Sequence, residues 1–117
     1  MSEVIRLHVR YSTPDDKGET RRQRNERFGV EEETPEPDID PDTAYLLDWF
    51  WNLHSARAES FDGPQPLSFT DIANWSALTG TILLREELGI LRQMDAAFLS
   101  AHAIEREEAR ERRKGNT

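Results

Sequence analysis

The chain has 117 residues, enough for one domain, and it carries a net charge of −8. This charge argues against nonspecific binding to nucleic acid or to anionic membranes, because both attract basic surfaces. The sequence contains no cysteine, which excludes disulfides and thiolate chemistry. No apolar run approaches the roughly 20 residues of a membrane span and no signal core is seen, so we expect a soluble, unexported, cytoplasmic protein.

The first 40 residues are predicted to form an extended, mobile arm and an acidic linker. Apolar and polar side chains alternate from Ile5, which predicts a short strand over residues 4–11. No second strand of similar quality follows, so this strand would need a partner from another chain or would remain an extended arm. Residues 19–28 predict a short arginine-rich helix ended by Gly29, for which a solvated helix is favoured over an RNA-binding tract.

The acidic linker follows, and its prolines prevent a regular helix before Pro41. Its like charges keep it extended, unless it folds back on the basic tract before it. Alternating Asp38, Asp40 and Asp42 would suit calcium, but the glycine and the later glutamate of a calcium loop are missing. We therefore predict no metal site here.

The rest of the chain predicts an all-α fold, a small domain of three helices over residues 41–104. The first helix, over about residues 41–58, has Asp40 as its N-cap and Pro41 at its first position. Two of the three tryptophans lie on it, within a run that is apolar on nearly every face. Such a helix is either the core of a small bundle or a surface for a partner, and the pattern leaves both interpretations open.

The second helix is predicted over residues 69–79. Ser68 and Asp71 resemble a capping box at its start, and Gly80 ends it. The third helix is predicted over about residues 84–104. A charged helical extension follows over residues 105–117 and frays at its end.

The third helix combines an apolar face with one acid. The apolar side chains that follow helical spacing on this face are Leu84, Leu88, Leu91, Met94, Phe98 and Ala101. Asp95 lies on or beside the same face, where a buried carboxylate needs a partner such as an arginine or a helix N-terminus. We predict that Asp95 is a structural hydrogen-bond acceptor rather than a general base.

No catalytic constellation is evident in the sequence. His8, His54 and His102 lie in three different elements, and packed histidines are a better interpretation than metal ligands. We predict no enzyme activity and no cofactor. The alternative function is a helix-turn-helix regulator drawn over residues 68–94, but an acidic domain offers few phosphate contacts for duplex DNA.

The region from Pro41 to Ala101 resembles the small tail-assembly chaperones of long-tailed bacteriophages. The likeness lies in the order of an aromatic helix, a proline turn, a Trp helix and a Met-Asp-x-Ala-aromatic helix. The residues that carry it are Tyr45-Leu46-x-x-Trp49-Phe50-Trp51-x-Leu53, Gly63-Pro64-Gln65-Pro66-Leu67-Ser68-x-x-Asp71-Ile72-x-x-Trp75-x-x-Leu78-Thr79-Gly80 and Glu87-x-x-Ile90-Leu91-x-x-Met94-Asp95-x-Ala97-Phe98-Leu99-x-Ala101.

The resemblance implies a helical, noncatalytic protein that acts in the cytoplasm of the bacterial host and is not part of the mature virion. It implies binding to the tape-measure protein and to the tail-tube protein during tail assembly. Residues 1–40 match no part of the family and inherit no role from it.

A chaperone of this kind must offer apolar side chains to its client while the chain stays soluble. We expect the surface for a client, or for self-association, to be formed by Tyr45, Trp49, Trp51, Leu53, Leu88, Leu91, Met94 and Phe98. We assign structural roles to Trp75, Gly80 and Asp95.

Overall fold

A computed structural model describes residues 1–115 of the chain. Within them, five α-helices, a short 3₁₀ helix and one two-stranded hairpin follow each other. They are α1 (Ser2–Ser12), α2 (Arg21–Arg27), the 3₁₀ helix Glu31–Glu33, α3 (Tyr45–Ser55), β1 (Glu59–Ser60), β2 (Gly63–Pro64), α4 (Phe69–Thr79) and α5 (Arg85–Gly115). The prediction of a mainly helical protein is confirmed, but the simple three-helix domain is not.

The predicted strand over residues 4–11 is wrong, because this segment forms helix α1. Ile5 and Val9 are four residues apart, so a helix places both on one face, and both are buried. Arg6 pairs with Glu3 on the exposed side. A helix also satisfies its own backbone groups, which a strand without a neighbour cannot do. The first part of the predicted mobile arm is thus a packed element.

The basic and acidic parts of residues 20–40 fold against each other. Thr20 and Gln23 form a capping box at the start of α2, and Gly29 follows its end with a φ of +72°, as the predicted short helix requires. The Nδ2 of Asn25 donates to the Oγ1 of Thr34 at 2.8 Å, and Arg22 pairs with Glu36 at 3.0 Å. The acidic linker therefore does not extend freely away from the domain.

Helix α3 is shorter than the predicted helix over residues 41–58. The Oδ1 of Asp40 accepts a hydrogen bond from the backbone N–H of Asp42 at 2.9 Å, so Asp40 stabilises a turn rather than the first turn of α3. Residues 41–44 continue as turns, and the regular helix begins at Tyr45.

A small hairpin, which the sequence indicated only as a break between helices, connects α3 to α4. Glu59 pairs with Pro64 and Ser60 with Gly63. Gly63 has a φ of +112°, and a Cβ placed there would lie 2.6 Å from Nη1 of Arg106. The same guanidinium donates to the carbonyl oxygen of Asp62 at 2.6 Å, so the hairpin is attached to the distal part of α5.

The two last helices agree closely with their predicted bounds. Ser68 and Asp71 form the predicted capping box of α4, and Gly80 ends it in the left-handed conformation with a φ of +69°. Helix α5 begins at Arg85 and includes the charged extension as far as residue 115. The predicted fraying of residues 116 and 117 lies outside the described residues.

The core is formed by α1, α3, α4 and α5 together. Its buried apolar side chains are Ile5, Val9, Leu46, Phe50, Leu53, Ile72, Leu91, Met94, Phe98 and Ala101. Helix α1 packs along α5 more extensively than any other element does. The molecule is flat, and it measures 48 × 35 × 18 Å along its principal axes.

Candidate interaction surface

Three aromatic rings from α3 and α4 form a ladder at one side of the domain. The rings of Tyr45 and Trp49 are 4.8 Å apart, and those of Trp49 and Trp75 are 5.9 Å apart, both close to edge-on. Trp75 donates its indole N–H to the Oδ1 of Asn52 at 2.6 Å, which connects α4 to α3. Tyr45 is 40% exposed, and the two tryptophans are half-buried.

Three further apolar side chains at the end of α4 and in its connection to α5 are exposed. Leu78, Ile82 and Leu84 are 87%, 85% and 59% exposed. Glu87 connects Leu84 to the ladder, because its carboxylate accepts from the Tyr45 hydroxyl at 2.6 Å and from the Leu84 backbone N–H at 2.8 Å. We call this surface the open face, and we define it by six residues: Tyr45, Trp49, Trp75, Leu78, Ile82 and Leu84.

The residues expected to bind a partner are divided between this surface and the interior. Tyr45 and Trp49 belong to the open face, and Leu88 is half-buried. Four others lie in the core of the single chain, where other elements cover them and they are not part of an exposed surface: Leu53, Leu91, Met94 and Phe98. The apolar faces of α3 and α5 pack against each other and fill the interior between these two helices. Helical spacing alone therefore did not distinguish core residues from surface residues.

Trp51 occupies an intermediate position on the other side of α3. Its ring centroid lies 4.5 Å from that of His8 on α1, and the side chain is half-buried. A partner could therefore reach Trp51 fully only if α1 moved. The sequence contained a signal for this contact in the four-residue spacing of Ile5 and Val9, but the alternation of residues 5–11 concealed it.

Asp95 joins the hairpin segment to α5. It is buried, its Oδ1 accepts from the Nη2 of Arg57, and its Oδ2 accepts from the backbone N–H of Leu67 at 2.9 Å. Arg57 also donates to the carbonyl oxygen of Gln65 at 2.8 Å and lies over the ring of Phe98, 4.7 Å from its centroid. The carboxylate thus neutralises a buried guanidinium and holds the chain that leads into α4, which are structural contacts.

The three histidines lie along one row of aromatic rings: His8 contacts Trp51, His54 lies between Trp51 and Phe98, and His102 contacts Phe98. The Nδ1 of His54 accepts from the Nε of Arg57 at 3.0 Å, and its ring lies 4.5 Å from that of Phe98. Burial lowers the pKa of His54, and burial likewise lowers the pKa values of His8 and His102. Within residues 1–115 no group of acids and histidines has the arrangement of a metal site.

Comparison with known families decides between the functional interpretations. A family model described as phage tail assembly chaperone matches residues 24–100. The chain belongs to this family. The match covers α3, α4, the whole open face and the first half of α5, whereas α1 and the distal half of α5 lie outside it. It also includes residues 24–40, so the expectation that residues 1–40 match no part of the family is wrong for this segment. No curated protein and no solved structure matched the chain.

Membership of the family has direct consequences for the expectations from the sequence. A tail assembly chaperone acts on phage tail proteins in the host during assembly, and the description points to a noncatalytic role. The match gives no support to the helix-turn-helix regulator, whose recognition helix would begin Leu84-Arg85-Glu86-Glu87-Leu88 and would offer DNA one arginine and two glutamates. Among residues 1–115, no helix is long and apolar enough to cross a membrane.

Proposed function

We propose that this tail assembly chaperone binds the tape-measure protein, the tail-tube protein or both through its open face, without catalysing a reaction. The observation that carries the proposal is that the family-matched region holds these six apolar side chains, of which Leu78, Ile82 and Leu84 are more than half exposed. No element within residues 1–115 covers Leu78 or Ile82, although burying each would gain about 2 kcal/mol. Exposed apolar groups that cluster in this way are typical of protein-binding sites.

The chemistry of the open face suits a helical client. Aromatic rings supply large contact areas with few rotatable bonds, and the aliphatic residues beside them can line a shallow groove. Glu87 lies between Tyr45 and Leu84, so a polar acceptor is present within an apolar surface. The net charge of −8 keeps the free chaperone soluble while these side chains are exposed.

The test is co-purification of the tape-measure and tail-tube proteins with variants of the full chain. We expect the double variant Leu78→Asp/Ile82→Asp to lose at least about tenfold in recovered client, because central apolar contacts dominate interface energies. Both side chains are more than 80% exposed, so the helical circular dichroism signal should stay unchanged.

A matched control is available at the distal end of the molecule. Phe61 on the hairpin is fully exposed, and the hairpin contacts Arg106, which lies about 28 Å along α5 from Glu87. Phe61→Asp should leave client recovery unchanged. Equal recovery with the double variant and with the unaltered chain would rule out the open face as the client site.

We further propose that the chaperone works in the host cytoplasm and is released before the tail is complete. The open face then binds the client only during assembly. We therefore expect mass spectrometry of purified virions to detect no chaperone. Light scattering of the isolated chain tests whether the open face also binds a second copy. A dimer abolished by Leu78→Asp/Ile82→Asp would assign self-association to the same surface.

A further inference from the structure

The buried face of α5 has the spacing of a coiled-coil seam. Leu91, Met94, Phe98, Ala101 and Glu105 follow one another at intervals of three, four, three and four residues, and all five are buried. This spacing keeps successive side chains aligned toward a neighbouring helix. The face is apolar as far as Ala101 and then becomes acidic.

Helix α1 covers this seam and the adjacent side of α3. It contributes Ile5, which is fully buried, and Val9, which is 4% exposed. Its His8 ring lies against the Trp51 ring. With five apolar residues and three charged ones among its eleven, α1 is an amphipathic helix that depends on α3 and α5 to bury its face.

Two arginines complement the acidic end of the seam. Arg21 Nη1 lies 2.8 Å from the Oε2 of Glu105, and Arg21 Nη2 lies 2.9 Å from the Oε2 of Glu108. Arg10 Nη1 contacts both carboxylates, at 3.3 Å from the Oε1 of Glu105. The Glu105 side chain is only 7% exposed. Arg21 belongs to α2, so Glu105 keeps one cation when α1 leaves, whereas Arg10 is the cation that α1 itself brings to Glu105 and Glu108. A helix that takes the place of α1 is therefore favoured if it supplies a basic residue at the position of Arg10.

The covering helix is not part of the family-matched region. Residues 24–100 contain Trp51 and the seam from Leu91 to Phe98. The residues outside are Ile5, Val9, Arg10, Ala101 and Glu105. Helix α1 is joined to α2 by residues 13–20, which include Pro14 and Gly18. A short helix at the end of such a connection can leave its place without unfolding α3, α4 or α5, because local opening has its own, smaller free energy.

We propose that the groove between α3 and α5 is a second docking site, whose partner is an amphipathic helix with coiled-coil spacing and a basic residue facing Glu105 and Glu108. Helix α1 is the internal occupant that this partner helix displaces. The inference rests on the proposed function, since it names the kind of segment that a client would offer. It concerns the side of α3 opposite to the open face.

The test uses a fluorescent peptide of residues 1–14 as the probe, and its binding to the full chain is followed by fluorescence anisotropy. In the unaltered chain the tethered α1 competes at a high effective concentration, so the peptide should bind weakly. Arg10→Glu in the chain places a carboxylate beside Glu105 and Glu108. We expect this variant to bind the unaltered peptide at least about tenfold more tightly, because its own α1 competes less well.

Two matched controls accompany the measurement. Arg6→Glu makes the same charge change on the exposed side of α1, where Arg6 contacts only Glu3, and it should bind the peptide like the unaltered chain. A peptide that carries Arg10→Glu should bind the Arg10→Glu chain at least about tenfold more weakly than the unaltered peptide does. This second control tests the requirement for a cation rather than for an apolar helix alone.

Three outcomes would overturn the inference. The first is equal peptide affinity in the Arg10→Glu and Arg6→Glu chains, and the second is no peptide binding to either. The third is a dimer of the Arg10→Glu chain in light scattering, because exchange of α1 between copies would make a second copy the occupant. If the client is still recovered when one of these results is found, the proposed function stands although this inference fails. If the Leu78→Asp/Ile82→Asp variant loses the client, that result concerns the open face and does not affect this inference.

Discussion

The two tryptophans of α3 lie in contrasting surroundings although they are only two residues apart. Two residues correspond to a rotation of about 200° around a helix, so Trp49 and Trp51 lie on opposite sides. Trp49 contacts Tyr45 and Trp75 on the open face, whereas Trp51 contacts Phe50 and the His8 ring of α1. The same aromatic run thus supplies one surface that the chain leaves open and one that its own first helix covers.

The largest effect should come from removing the support that both sides share. Asp95→Ala leaves the Arg57 guanidinium, whose side chain is 2% exposed, without its carboxylate partner. We expect a loss of about 3–5 kcal/mol in the free energy of unfolding, measured by urea denaturation. Asp95→Asn is the control, because it keeps an acceptor for the Leu67 N–H and should lose less. A loss below about 1 kcal/mol in Asp95→Ala would show that the pair does not hold the two sides together.

A smaller effect should separate the two sides of α3. Ile5→Ala opens a cavity under α1 and should cost about 2–5 kcal/mol in the free energy of unfolding. The indole N–H signal of Trp51 in NMR spectra should shift and exchange faster with solvent, while that of Trp75 should change little. Val4→Ala, at a half-buried position of the same helix, is the control. Equal changes at both indoles would mean that α1 does not act on one side alone.

The smallest expected effect is a dependence on pH at the covered side. Burial, aided by the positive charge of Arg22, lowers the pKa of His8 below its usual value near 6.5. The folded chain therefore binds fewer protons than the unfolded chain, so this contribution to stability is complete above about pH 6.5 and is lost as the pH falls through and below that value. The melting temperature should fall less between pH 7 and pH 5 in His8→Gln than in the unaltered chain. The same fall in both would place the pH-sensitive group elsewhere.

The sequence predicted well those parts of the fold whose ends are marked by local capping residues. Helix α4 is bounded by a capping box at Ser68 and a left-handed glycine at Gly80, and both operate over three or four residues. The start of α3 was predicted too early, because Asp40 and Pro41 also suit the turns that precede Tyr45. The sequence therefore predicted a helix boundary correctly where its capping residue fits only a helix end, and wrongly where the same residue also fits a turn.

The parts that could not be predicted depend on contacts across the chain. The alternation after Ile5 fits a strand, and only the packing of Ile5 and Val9 against α3 and α5 selects a helix. The same distant contact decides that Trp51 is covered, whereas Trp49 keeps an exposed neighbour in Tyr45. The sequence identified Tyr45 and Trp49 as surface candidates but assigned core residues such as Met94 to the same surface. It gave no indication of Ile82, because an apolar residue in a connection carries no periodic pattern.

The thickness of the molecule has one further consequence. A body 18 Å deep is less than two helix diameters from front to back, so every helix in it reaches an outer surface. Such a plate cannot enclose a helix that is apolar on all sides, and any aromatic ring that no neighbouring element covers meets solvent.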